Sequence, residues 1–172
     1  EQVYGELIEI VKTFYDTVHM PLKARLSFRD PATPDKYLGE PELWDKAQNI
    51  LLDIAKKHNL DYFIAEGEAA FYGPKIDFMG IDAIGRSWQV ATPQLDFVQP
   101  ERFGLVYTDV DGQEKTPVMI HFALMGSIER FLSIYIEHTA GAFPFWLAPT
   151  QVSVIPIADR HAEKAQEIYR LL

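Results

Sequence analysis

A chain of 172 residues with 48% hydrophobic content is long enough to bury one sizeable core, or one domain and part of a second. Sixteen Lys and Arg against 25 Asp and Glu give a formal charge of −9, which argues against a generally basic nucleic-acid surface but leaves room for local basic patches. The lack of cysteine excludes a disulfide framework and a thiolate metal site within the chain, and no apolar run is long enough to span a bilayer.

The opening segment is amphipathic and acidic rather than Arg-rich or signal-like, so a soluble, cytoplasmic protein without a targeting peptide is expected. Glu1 stands where a Met would open a gene and reads as an internal start. Val3, Leu7, Ile10, Val11, Phe14 and Val18 recur at helical spacing, with Glu6, Glu9, Lys12 and Asp16 opposite them. This predicts an amphipathic helix that covers a sheet. After Pro21, Leu22, Ala24, Leu26 and Phe28 alternate with Lys23, Arg25, Ser27 and Arg29, the period of a half-buried antiparallel strand. Asp30 to Pro41 is a polar, proline-containing loop. A second helix is predicted from Pro41 or Glu42 to His58-Asn59, with Trp44 anchoring its start against the sheet or stacking on a ligand.

From Asp61 the pattern changes to short β-rich segments: Tyr62 to Ala65, Lys75 to Met79, Trp88 to Phe97, Leu105 to Val110 and Thr116 to His121. The turn Val110-Asp111-Gly112-Gln113 predicts that the last two pair antiparallel. Pro93, just before Gln94, predicts a bulge or an edge at that point. Beyond the linker Ala142 to Thr150, Val152-Ser153-Val154-Ile155 reads as a buried strand and Ala162 to Leu172 as a helix, the opening of another α/β domain. No internal repeat or low-complexity segment is present.

The stretch Pro117 to Phe131 gathers the chemistry. A β-branched run leads to Gly126-Ser127, after which Ile128, Leu132 and Tyr135 fall on one helical face. His121 and Arg130 lie inside this apolar unit, where an unpaired charge is costly, so each is exposed, partnered or bound. An Arg at a helix start suits an anionic ligand, because free N–H groups point the same way; pairing with Glu129 or Glu137 is the ordinary alternative. The loop Gly67-Glu68-Ala69-Ala70-Phe71-Tyr72-Gly73-Pro74-Lys75 can edge a pocket, although it lacks the Gly-Lys-Ser/Thr ending of a phosphate-binding Walker loop.

Gly126-Ser127-Ile128-Glu129-Arg130-Phe131 resembles the motif 3 signature of class II aminoacyl-tRNA synthetases. With Val118-Met119-Ile120-His121 ahead of it, the segment is similar to the threonyl family within that class. The Gly67–Lys75 block, Trp88-Gln89, Gln94-Leu95-Asp96-Phe97, Phe143-Pro144 and Trp146-Leu147-Ala148-Pro149 agree in order over nearly the whole chain. The fold expected on this basis is α+β: an antiparallel sheet flanked by helices, the class II catalytic fold in incomplete form. Residues 1–148 would be the C-terminal part of that catalytic domain. Residues 149–172 would begin an anticodon-binding domain, supplying the first strand and helix of its α/β fold.

The resemblance implies ATP-dependent, Mg2+-assisted activation of threonine to an adenylate and its transfer to tRNA(Thr), by a homodimeric parent protein. In it, Arg130 holds the ATP polyphosphate and Gln89 faces the adenylate, as arginine and a neutral amide can. Tyr72, Lys75, Gln94 and Ser127 fall at substrate-binding positions, with helix capping the equally ordinary task of Ser127. His121 matches the third zinc ligand of the family, whose Cys and His partners would precede Glu1; on its own, it is a hydrogen-bonded pocket residue. Motif 1, motif 2, the editing domain and most of the anticodon-binding domain have no counterpart, so the chain reads as an inactive piece of a synthetase. Two other readings stay open: a prolyl or seryl synthetase, which would leave His121 without its zinc role, and a non-catalytic module that binds tRNA or a partner protein.

Overall fold

Alternation along Leu22–Phe28 sets the layering of the molecule. In the computed structural model, which describes all of residues 1–172, Ala24, Leu26 and Phe28 are buried against helices while Lys23, Arg25 and Ser27 turn to the opposite face. The elements run α1 (Gln2–Thr17), β1 (Leu22–Phe28), α2 (Pro41–Lys57), β2 (Tyr62–Glu66), β3 (Lys75–Ile81), β4 (Ser87–Asp96) and a short α3 (Gln99–Arg102). They continue as β5 (Tyr107–Thr108), β6 (Glu114–Lys115), β7 (Met119–Ala123), α4 (Ile128–Thr139) and α5 (Ala162–Tyr169).

One five-stranded sheet has the order β2-β1-β3-β4-β7, and α1, α2 and α4 contribute the rest of its core. Its pairs are antiparallel apart from β1 with β2, which run parallel because the whole of α2 crosses over between them. The sheet is therefore mixed rather than purely antiparallel. The predicted hairpin forms around Asp109–Gln113, but its second arm is Glu114–Lys115, in a separate two-stranded ribbon. Residues 119–123 instead join β4 at the sheet edge, where their apolar side chains find a core.

Two helical faces are rotated from their expected phase. On α1 the buried stripe is Tyr4, Ile8, Val11 and Tyr15, leaving Val3 57% exposed and Ile10 48% exposed. On α4 it is Phe131, Ile134 and Tyr135, while Ile128 is 61% exposed and Leu132 also faces outward. Both shifts follow from aromatic area: a buried ring removes more apolar surface from water than an aliphatic neighbour. Phe131 stacks on Tyr135 at 5.5 Å, and Tyr135 on Phe143 at 5.8 Å, fixing α4 against the chain that follows it.

Trp44 is almost fully buried, but it packs edge-on to Tyr37 and Phe97 and donates its indole N–H to Leu38 O at 2.8 Å. It thus pins the 34–38 loop and not the sheet. The helix expected near the C-terminus forms as α5, which buries none of its residues. The expected strand at Val152–Ile155 does not form, because a strand needs a ladder partner and none lies beside it.

Two buried phenols report on this core. Burial pushes the Tyr4 hydroxyl well above its ordinary value, helped by the negative charge of Asp77, and burial likewise raises that of Tyr15, which donates to Leu124 O at 2.9 Å. The folded state thus holds these protons more tightly than the unfolded chain. Their contribution is complete below the unfolded tyrosine value of about 10 and is lost as pH rises above it. Urea denaturation between pH 8 and 11 should show stability falling from about pH 10 upward. Tyr15→Phe should make that fall shallower; an identical alkaline slope in the variant would contradict the assignment.

Candidate functional site

The helix-free face of the sheet carries the polar parity of β1, β3 and β4. At its centre, Asp77 has no exposed surface and accepts hydrogen bonds from four side chains. Ser27 Oγ donates at 2.6 Å, Lys75 Nζ at 2.8 Å, Gln89 Nε2 at 2.8 Å and Arg25 Nη2 at 3.0 Å. Arg25 also approaches Gln89 Oε1 at 3.2 Å and pairs with Glu68 of the 67–74 loop at 3.3 Å. Burial alone would raise the Asp77 carboxyl, but the Lys75 and Ser27 hydrogen bonds outweigh it and hold the group below the usual carboxylate range.

A second cluster sits one to two strands away. Tyr72 donates its phenol O–H to Gln94 Oε1, and its ring lies 5.3 Å from that of His121. His121 Nε2 is 2.8 Å from Asp96 Oδ2, while Asp96, itself fully buried, uses Oδ1 to accept from Val98 N and Gln99 N at 3.0 and 2.9 Å. Burial, and then the Asp96 charge, push the Tyr72 phenol upward, so it stays a proton donor at neutral pH. Lys75 pairs across the ladder with Gln94, and Gln94 with His121, so the three form one row over three adjacent strands. At ordinary strand spacing that row spans about 10 Å, the scale of a small ligand.

Gln89 and Gln94 are five residues apart on β4 and would face opposite sides of a regular strand. They share a face because the register shifts: Phe78 pairs with Ala91, but Met79 pairs with Gln89, leaving Val90 as an extra residue. Val90 and Ala91 are consequently both buried in the core. The sequence placed a bulge near Pro93; it lies instead at Val90. The loop before β3 is seated by a close approach, since a Cβ on Gly73 would stand 2.0 Å from Leu95 O. Only glycine lets the Tyr72–Lys75 segment cross β4 there.

Arg130 takes up neither acidic neighbour: Glu137 pairs with Arg86 instead. Its Nη2 donates to Gln89 O at 2.6 Å, with the guanidinium lying against Gly126, whose φ of +67° requires glycine. Ser127 caps α4 by accepting from Arg130 N at 3.2 Å, the ordinary task weighed for it. The side chains of Lys75, Gln89, Gln94 and His121 thus share one face with Tyr72 against them, and Arg130 and Ser127 stand at the start of α4, with Arg130 on the Gln89 carbonyl. Asp77, Arg25, Asp96 and Glu68 were missed there, although Asp77 follows Lys75, and Asp96 follows Gln94, at the two-residue spacing that puts strand neighbours on one side.

His121 has one ring nitrogen directed at a carboxylate, the arrangement that orients metal-bound histidines, and its Nδ1 carries no hydrogen bond. No group of three or more His, Cys, Asp or Glu side chains is gathered to hold a metal. The residues present therefore fit a zinc site as one ligand of a set, not as a whole set. No helix is long and apolar enough to cross a membrane.

Relatives include the threonine–tRNA ligases of Chlorobium chlorochromatii, 50% identical over 96% of this chain, and Desulforamulus reducens, 50% identical over all of it. The chain spans about a quarter of their length, 25% and 26% respectively. Among solved structures, the RNA binding domain of threonyl-tRNA synthetase from Cryptosporidium parvum Iowa II superposes with a TM-score of 0.90 at 36% identity, over 99% of this chain and 42% of that one. A putative threonyl-tRNA synthetase from Aeropyrum pernix gives 0.79 at 35% identity, over 98% and 41%. Residues 1–139 match the family described as tRNA synthetase class II core domain (G, H, P, S and T), and with a sheet, a loop and a motif 3 helix arranged as above, the chain belongs to that family.

Proposed function

We propose that this chain carries part of the amino-acid and ATP site of a threonine–tRNA ligase, which activates threonine with ATP and passes it to tRNA(Thr). The observation that carries the reading is the row Lys75–Gln94–His121, set beside an Arg130 that no carboxylate neutralises. In the first step the threonine carboxylate attacks the α-phosphorus of Mg2+-bound ATP and pyrophosphate leaves. In the second, a tRNA ribose hydroxyl displaces AMP. Such chemistry asks a protein mainly for positioning and for stabilised phosphate charge.

Arg130 offers its unused guanidinium N–H groups to the polyphosphate, and Lys75 opposes the carboxylate or the α-phosphate. Gln89 and Gln94 address ligand hydroxyl or amino groups without adding charge, and Tyr72 supplies a protonated phenol beside Gln94. His121 would hold zinc together with ligands from elsewhere in the longer protein. Bound there, zinc supplies coordination to the amino and hydroxyl groups of threonine, which valine cannot match. Residues 149–172 would open the anticodon-binding domain, and the longer protein would act as a homodimer, as the likeness to threonine–tRNA ligases supports.

Three outcomes are expected in the full-length ligase. Arg130→Ala should lower threonine-dependent pyrophosphate exchange by about 10- to 100-fold, the worth of a charge-assisted hydrogen bond, while the melting temperature holds. Arg130→Lys should remain impaired because the fork geometry is lost, and unchanged exchange in either variant would refute the phosphate role. His121→Ala should lose zinc and, with it, discrimination against valine; a zinc-free protein that still rejects valine would refute the ligand assignment.

Asp77→Ala leaves Lys75 without its carboxylate partner and Arg25 with only the half-exposed Glu68, and should cost about 3–5 kcal/mol in stability. Because the folded Asp77 carboxyl is depressed, its contribution is whole above the unfolded value of about 3.9 and is lost as pH falls through the lower folded value. The stability gap between wild type and variant should therefore begin to narrow as pH falls below about 3.9, read from denaturation curves at pH 7 and at successively lower pH; equal stabilities at pH 7 would contradict the network.

A further inference from the structure

The ladder between β3 and β4 has a gap. Lys75 pairs with Gln94 and Phe78 with Ala91, but between these pairs Pro93 has no N–H to donate to Ile76 O. Tyr4, from the first turn of α1, enters this gap. Its hydroxyl accepts from Ile76 N at 3.2 Å and donates to Pro93 O at 2.7 Å, and the side chain is only 1% exposed. One phenol thus ties the two strands together beside the bond that the proline removes.

We propose that Tyr4 is a positioning residue of the site: its hydroxyl compensates for the missing ladder bond and fixes how Lys75 and Gln94 stand relative to Gln89 beyond the bulge. The reasoning is one of register. Between Gln89 and Gln94, β4 contains an extra residue at Val90 and a proline at 93, so direct pairing ties this part of β4 to β3 weakly, while β7 pairs with it from the other edge. The Tyr4 bridge reinforces the tie to β3, from the opposite side of the sheet. Ile76 adjoins Lys75 and Pro93 adjoins Gln94, so a change in the bridge acts first on that end of the row. Arg130 and the carbonyl it binds at Gln89 lie on the far side of the bulge. This inference rests on the synthetase reading for its functional consequence and on geometry alone for its structural one.

Two variants separate positioning from bulk stability. Tyr4→Phe keeps the ring and removes the bridge. Tyr4→Phe combined with Pro93→Ala supplies an N–H at position 93, so that this residue and Ile76 can close an ordinary two-bond pair. In this chain, with 15N-labelled glutamine, Tyr4→Phe should lower the melting temperature and shift the Gln94 side-chain amide. The double variant should regain the melting temperature while the Gln94 signal stays displaced. In the full-length ligase, the double variant should raise the threonine KM at least about fivefold through lost orientation. The ATP KM should hold within about twofold, because the interactions beyond the bulge persist. A double variant that restores the Gln94 signal and the threonine KM along with stability would overturn the proposal, making the bridge structural only. A double variant no more stable than Tyr4→Phe would overturn it too, since no missing ladder bond was then being compensated. If the full-length wild type fails to exchange pyrophosphate with threonine, the synthetase reading falls, and the glutamine signals still decide the role of the bridge.

Discussion

A carboxylate with no exposed surface governs this molecule's polar face. Asp77 is ionised inside a sheet, where an unaccompanied charge is prohibitively expensive, so every nearby donor is drawn to it. Two cations, a hydroxyl and an amide converge on its two oxygens from three strands. The arrangement fixes side chains that would otherwise sample many rotamers. Lys75 and Gln89 become rigid because their partner is buried, not because they are packed.

The sequence disclosed this site unevenly, for identifiable reasons. Chemistry carried by a contiguous block was readable: Arg130 and Ser127 stand in a helix start, and Tyr72 and Lys75 in a glycine-bounded loop. Strand alternation in β1 was equally plain, because its apolar and polar parities never mix. The helical faces of α1 and α4 were misphased where several apolar stripes competed and the aromatic one won. The bulge at Val90 left no local mark, since a Trp-Gln-Val-Ala run reads as ordinary strand whichever residue is the extra one. No local signal marks Asp77 and Asp96 as buried; Ser27 and His121, which partner them, come from other strands. The 152–155 segment was misread because strand propensity counts for nothing without a neighbour to complete its ladder.

Charge is distributed against the average. A chain of net charge −9 nonetheless puts Arg25 and Lys75 on one face around the buried Asp77, and holds Arg130 on the Gln89 carbonyl. Surplus acids lie on other surfaces, as along the outer side of α1, where Glu9 meets Lys12 and His58. Of these three cations only Arg130 has no carboxylate partner, so attraction for an anion would centre there rather than on the surface at large.

The bond from Arg130 to a main-chain carbonyl would govern how this side chain meets the proposed anion. A guanidinium carries five donors in a flat fork, and Gln89 O engages only one nitrogen. The bond leaves an edge of the fork available while fixing the plane in which it lies. Most of the rotational freedom of a long arginine is therefore surrendered when the chain folds, and little remains to be lost when an anion arrives. The same contact makes that preparation conditional on β4: whatever displaces the Gln89 carbonyl re-aims the fork, so a shift of one peptide group in the sheet would be felt as a change of affinity at the helix.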